Sequence, residues 1–241
     1  MCLKFIRCSY DDIENLRTIY NLMKTDHDNK EPKLIISCYG GAKYFTMNED
    51  LENEFLRGMA EAATTSGTWI LTTGLNSGVS KFIGEGIARF ILSTDHPKKT
   101  TMIGLTKWGT LTEKTRAILK LESEQIHLNQ LTHRSDLDIE DTDIESLQSN
   151  HTHFILIDNG RNSGYSADSD RSDFVKLILE SKTNRCFAVT IIVEGGIHTT
   201  EVIFNDLTEK RSVIIIQGSG KMADLIAKLM EITSDKTQQS T

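Results

Sequence analysis

Proline is scarce, with 2 residues in 241, and cysteine is sparse, with 4. Cys2, Cys8, Cys38 and Cys186 lie far apart with no C-x-x-C pair, which argues against a disulfide scaffold or a zinc ribbon and reads as packed, reduced thiols in a cytosolic compartment. No apolar run approaches a membrane span, and the opening MCLKFIRCSYDD lacks the apolar core of a signal peptide, so the expected location is cytoplasmic with no direct membrane insertion. Positive charge is also short. Lys and Arg number 27 against 34 Asp and Glu, a formal net charge of −7, which argues against a non-specific nucleic-acid or anionic-membrane surface. Any phosphate site must then be local.

What the chain has is glycine at the ends of apolar runs. LIISCYGG ends at Gly41, WILTTG at Gly74, FILIDNG at Gly160, IIVEGG at Gly196, and VIIIQGSGK passes through Gly220. Runs rich in Ile, Val and Leu without period-two alternation read as strands buried on both faces, the mark of a parallel sheet covered by helices. Ligands of open α/β sheets bind beyond the carboxyl ends of the strands, where glycine lets backbone approach phosphate closely. The expected fold is therefore Rossmann-like α/β, a doubly wound and mainly parallel sheet with helices on both faces. It is built as one domain from 241 residues that are 38% hydrophobic.

Residues 1–32 read as a lead-in, with a possible edge strand at 3–8 and a helix over about 11–24. Residues 33–234 carry the strand and helix alternation of the main domain. Thr46 and Glu49 have capping-box spacing before an apolar-faced helix. Within 112–150 the pattern degrades to a short helical stretch near 117–121 and then RSDLDIEDTDIESLQSN, which reads as an acidic, solvated connector. Residues 235–241 read as a frayed tail.

Several strand ends carry candidate ligand chemistry. Gly218-Ser219-Gly220-Lys221-Met222-Ala223 fits G-x-G-x-x-A between a strand and a helix, offering backbone N–H groups and the Lys221 charge to an anion. It is not a Walker A loop, because the preceding glycine and the magnesium-binding hydroxyl are missing. Thr73, Gly74 and Asn76 belong to a second such turn, TTGLNSG, and the pairs Gly40-Gly41 and Gly195-Gly196 would line the same rim. One glycine turn by itself reads equally as tight packing; four on one rim point to a nucleotide-sized site. Spacing alone reads Tyr165 as a surface tyrosine and Arg171 as a first-turn arginine on a solvated face. His151 and His153 are two apart and share a face, but no third metal ligand matches them, so no metal site is expected. His198 lies near the rim without a visible partner.

The stretches PKLIISCYGGAKYFTM, TTSGTWILTTGLNSGVSKFIGEG, IGLTKWG, NHTHFILIDNG with the following tyrosine, IIVEGG and VIIIQGSGKMADLIA resemble the cytosolic N-terminal homology region of melastatin-type TRP cation channels. The resemblance spans nearly the whole chain apart from the acidic segment and the tail. It implies a Rossmann-like module, distantly similar to Lonely-guy and DNA-processing nucleotide binders, that in the ADP-ribose-gated branch binds ADP-ribose or a related adenine nucleotide. Partners implied are the other domains and subunits of a tetrameric channel. Carried over by motif, Tyr165 matches an aromatic beside the ligand, Arg171 a basic residue of the following helix, and Lys221 a basic position in the G-S-G-[RK] turn. Two departures stand out: that last position is arginine in the comparable branch members, and the Tyr165 to Arg171 interval is one residue shorter.

The module's enzymatic relatives carry P-G-G-x-G-T-x-x-E. The run from Glu194 to Thr199 lacks the proline, the later glycine and the offset glutamate, so no catalytic residue and no cofactor are expected. Binding without turnover is the leading expectation, with a phosphoribohydrolase-like enzyme and a purely structural assembly domain as alternatives.

Overall fold

The computed structural model describes residues 4–9, 13–28, 30–41, 46–93, 100–127, 143–164, 168–181 and 185–238. Seven strands alternate with helices. The strands are β1 (Lys4–Ser9), β2 (Leu34–Gly40), β3 (Thr68–Thr72), β4 (Thr101–Lys107), β5 (His153–Asp158), β6 (Phe187–Val193) and β7 (Ser212–Ile216). The helices are α1 (Ile13–Asp26), α2 (Glu49–Ala63), α3 (Gly78–Leu92), α4 (Glu113–His127), α5 (Asp168–Leu179), α6 (Thr199–Thr208) and α7 (Lys221–Gln238), with one 3-10 turn at Trp108–Thr110. Every strand pair is parallel, in the order β1-β5-β4-β3-β2-β6-β7. This is the Rossmann-like sheet that the glycine-ended runs imply, and the edge strand expected over 3–8 is β1 (Lys4–Ser9), paired with β5 from Lys4↔His153 to Ser9↔Asp158.

The apolar runs lack alternation because consecutive residues pack into different layers. Ile35, Leu71, Ile103, Ile155 and Ile157 join Ile19 and Met23 of α1 and Phe174 and Ile178 of α5 on one face. Ile36, Ile70 and Met102 join Met59 of α2 and Ile83 and Ile87 of α3 on the other. Phe154 and Leu156 pack instead with Leu119 of α4 and Trp108. Each such fully buried side chain contributes about 1.5–3 kcal/mol, so a single polar substitution in any of these strands would be felt throughout the sheet.

Three expectations are corrected. The cap of α2 is Asn48, whose side chain accepts from the Asp50 N–H, in place of a Thr46 capping box. The 112–150 connector is ordered at both ends. α4 runs the full Glu113–His127, and beyond it Ser146, Leu147 and Gln148 are buried. Leu147 bridges to Leu75, and Asp143 accepts from Thr112 at 2.7 Å. Residues 128–142, the acidic centre of that connector, lie outside the described residues. Finally, α7 extends to Gln238, into the stretch read as a tail.

Candidate functional site

Chain order runs outward from β2 through β3, β4 and β5, then returns to place β6 on the other side of β2. The reversal falls between β2 and β6, and in open α/β sheets the crevice at such a switch point is the ligand position. Here it is built from backbone held very close. The Gly41 N–H donates to the Val193 carbonyl at 3.1 Å, and the Val79 N–H donates to the Gly41 carbonyl at 3.0 Å, tying β2, β6 and the start of α3 together. A crevice of about 100 Å³ opens there, lined by Tyr39, Gly40, Gly41, Thr73, Ser77 and Ser80 among others. Ser77 belongs to the TTGLNSG turn, whose hydroxyls the sequence already offered as ligand groups, whereas Tyr39 and Ser80 were not anticipated.

The glycines hold protein against protein more than protein against ligand. A Cβ on Gly40 would lie 1.6 Å from the Val193 carbonyl oxygen, so a side chain there would force β6 away from β2. Gly74 packs against Gly104 and the Phe154 ring, and Asn76 is buried with its N–H donating to the Ser146 carbonyl at 2.9 Å. Gly195 faces Thr199, whereas a Cβ on Gly196 would meet nothing within 4 Å.

The G-S-G-K turn sits beside this crevice, at the ends of β6 and β7. Ser219 is buried; its hydroxyl accepts from the Glu194 N–H at 2.8 Å and donates to the Ile216 carbonyl at 2.5 Å. The Glu194 carbonyl accepts from the Ala223 N–H at 2.8 Å, and the Glu194 carboxylate pairs with Lys221 Nζ at 2.9 Å. Glu194 is thus the anchor of the turn, a residue that sequence reasoning treated only as part of a departed enzyme motif. Its second oxygen, Oε2, is buried with no hydrogen-bond partner. Lys221 is 64% exposed beyond its ion pair with Glu194, while Gly218 and Gly220 line its turn at positive φ.

Arg171 is not the exposed clamp the sequence implied. It is 1% exposed and, among the described residues, the largest fully buried side chain. Its Nε and Nη2 donate to the two oxygens of Asp168 at 2.5 and 2.8 Å, and its Nη1 donates to Asp206 at 3.1 Å and Thr190 at 3.2 Å. The guanidinium also lies 5.5 Å from the Tyr39 ring centroid. Burial lowers its proton affinity, but the bonds to Asp168 and the nearby Asp206 raise it further, so the cation is fixed. A residue so engaged locks α5 to α6 and β6 and supports the crevice from behind. Tyr165 lies outside the described residues.

The two histidines are internal. Burial pushes His151 down to about 3, and its Nε2 lies 2.8 Å from the Thr72 hydroxyl. His153 falls to about 4 through burial and the neighbouring His27. Among the described residues no group of three or more His, Cys, Asp or Glu side chains is placed to hold a metal ion. Burial also raises the Cys8 and Cys186 thiols to about 11, and the described cysteines, Cys8, Cys38 and Cys186, are all free thiols.

The strand-order reversal, the parallel sheet and the glycine turns on its carboxyl rim define a Rossmann-like α/β domain. The family model described as SLOG in TRPM matches residues 3–241. The chain belongs to that family, the SLOG domain of melastatin-type TRP channels, as the resemblance implied. It is 33% identical over 250 residues to transient receptor potential cation channel subfamily M member 2 of Rattus norvegicus, covering 98% of this chain and 16% of the relative. It is 31% identical over 230 residues to subfamily M member 6 of Homo sapiens, covering 93% of this chain and 11% of the relative. A member-like 2 protein of Nematostella vectensis is 29% identical over 235 residues, covering 92% of this chain and 14% of the relative. The chain therefore spans under a fifth of the length of these relatives, and its near-equal identity to members 2 and 6 fixes the family without choosing a branch. Among the described residues no helix is long and apolar enough to cross a membrane.

Proposed function

We propose that this domain is a cytosolic ligand-sensing element of a melastatin-like cation channel, binding an adenine nucleotide such as ADP-ribose at the β2/β6 switch point. The observation that supports this most is the coincidence of the strand-order reversal with the crevice between Gly40, Gly41, Thr73 and Ser77. The α3 N-terminus, which begins at Gly78, faces this rim with partial positive charge. Lys221 supplies a full charge from the neighbouring turn. Ligand that binds one arrangement of these loops better than another shifts the population, and the attached channel domains read that shift. The Glu194 to Thr199 run lacks the proline, the later glycine and the offset glutamate of the enzymatic motif, which supports binding without turnover.

The crevice also favours a second reading. Its volume of about 100 Å³ is below the roughly 300 Å³ at which small-molecule pockets begin, enough for a phosphate or ribose and not for a whole dinucleotide. A structural assembly domain with a reduced pocket fits that size. Calorimetric titration with ADP-ribose, AMP and cyclic ADP-ribose, followed by chromatography of the mixtures, separates the readings. Sensing requires saturable binding of an intact nucleotide; no heat with any of the three leaves the assembly role, and cleaved product makes the domain an enzyme. Lys221→Ala should weaken binding by about 1.5–3 kcal/mol, the range for a hydrogen bond to a charged group, and Lys221→Arg should retain it through its bidentate fork.

A further inference from the structure

Among the described residues a larger cleft than the switch-point crevice lies further along the same rim. A depression of about 700 Å³ lies beyond the carboxyl ends of β1, β4 and β5, lined by Arg7, Cys8, Ser9, Lys107, Asp158 and Arg161 among others. It shares Arg7, Asp158 and Gly160 with an adjoining hollow of about 360 Å³, to which α4 adds Glu113, Arg116 and Lys120. Five cations and two carboxylates thus line one groove in a chain whose net charge is −7. A local excess of one sign against the global balance marks a site where the opposite charge is wanted.

The groove is also preformed. Arg7 Nε donates to Asp158 at 2.9 Å, and the guanidinium lies over the Trp108 ring, 4.5 Å from its centroid. Asp158 is partly buried, which opposes ionisation, yet its bonds from Arg7 and the Gly160 N–H hold the carboxyl below its ordinary range. The loop behind it is fixed: the Arg161 N–H donates to the Asn159 side chain at 3.2 Å, and Thr110 Oγ1 donates to the Gly164 carbonyl at 2.6 Å. Gly109 has no side chain because the Arg161 carbonyl oxygen sits 2.1 Å from where its Cβ would be. Arg161 and Lys120 project from this fixed frame as exposed side chains. Trp108, the aromatic of the lining, is 5% exposed beneath Arg7, so the groove offers no open ring for a base to stack on.

We infer that this groove is a second, separate anion site that takes a compact polyphosphate through Arg7, Lys107, Arg161 and the α4 cations, without recognising a nucleobase. Several phosphoryl groups suit cations spread along two adjoining hollows; Arg7 is held by Asp158 and Arg116 by the Leu111 carbonyl, so the exposed Arg161 fork is the one placed to bind a phosphoryl group bidentately. The groove centres on β5, three strands from β2 along the sheet, roughly 14 Å at about 4.8 Å per strand, so a compact tripolyphosphate seated there does not fill the switch-point crevice. The inference stands whether or not the switch point binds nucleotide.

The test is titration of the folded domain with sodium tripolyphosphate at low ionic strength. Binding is expected that weakens as salt rises, that falls at least about tenfold in the Arg161→Glu/Lys120→Glu variant, and that is unchanged in Lys228→Ala, an exposed cation of α7 outside both sites. The Arg161→Lys/Lys120→Arg variant keeps the charge and should keep most of the affinity. Circular dichroism of the charge-reversed protein should match the parent, since both side chains are exposed. Absence of binding at millimolar tripolyphosphate, equal binding by the charge-reversed protein, or full displacement by ADP-ribose would each overturn the separate site.

Discussion

Replacing Arg171 by alanine distinguishes a structural arginine from a ligand clamp. In the folded domain its side chain donates four hydrogen bonds, two to Asp168, one to Asp206 and one to Thr190. After truncation Asp206 keeps Arg211 Nε at 2.6 Å, whereas Asp168 keeps only the Asn205 amide at 2.8 Å. One buried carboxylate is then left without a cation, and breaking a buried pair in this way costs about 3–5 kcal/mol. Against a typical total stability of about 5–15 kcal/mol that is a large fraction. With a urea slope of roughly 1–3 kcal/mol/M the midpoint should fall by about 1 M or more. Combining Arg171→Met with Asp168→Asn removes both charges and should recover part of the loss. The assay is equilibrium urea unfolding followed by far-UV circular dichroism on parent, single and double variants. An unchanged midpoint for Arg171→Ala, with nucleotide affinity lost instead, would refute the buried-lock account and restore the exposed clamp.

Gly40→Ala should cost more than about 3 kcal/mol or prevent folding, because its methyl would lie 1.6 Å from the Val193 carbonyl oxygen. Gly196→Ala, with nothing within 4 Å, should stay within about 0.5 kcal/mol of the parent in the same unfolding assay. Stability should fall on acidification from about pH 6.5 to pH 4.5. His151 and His153 are depressed to about 3 and about 4, so the unfolded chain takes up their protons first and their contribution, full above the unfolded value, is lost as pH falls. Burial raises Asp170 to about 6, so its proton binds the folded state first and opposes one of the two. The net slope is on the order of 1 kcal/mol per pH unit, and thermal melts across this range that rise on acidification would contradict it.

The strands and their parallel arrangement were legible because burial on both faces leaves a direct trace in composition, from Leu34 to Gly40 and from His153 to Asp158. Arg171 was not. A charged residue in the first turn of a helix reads as solvated, and its burial depends on Asp206 lying 35 residues further along the chain. The segment around Leu147 was hidden for a similar reason: its polar neighbours Ser146 and Gln148 are buried, and Gln148 accepts from the Asn150 N–H and meets His151 Nδ1 at 3.0 Å, pairings that residue-type patterns do not encode. The glycines were found correctly and explained incompletely, since Gly40 and Gly74 clear space for Val193, Gly104 and Phe154 as well as bordering the rim.

The pairing of β2 with β6 carries a consequence for the order in which the chain acquires its shape. Gly40 meets Val193, and Lys4 meets His153, so both walls of the switch-point crevice and the outer edge of the sheet join segments about 150 residues apart. During synthesis at about 5–20 residues per second, β2 emerges roughly 8–30 s before its partner. Over that interval β2, β3 and β4 can pair in succession, yet the crevice does not exist. Long-range closure of this kind is slow, so the switch-point crevice forms only after β6 has joined β2, and nothing can engage it on a nascent chain before Val193 has left the ribosome.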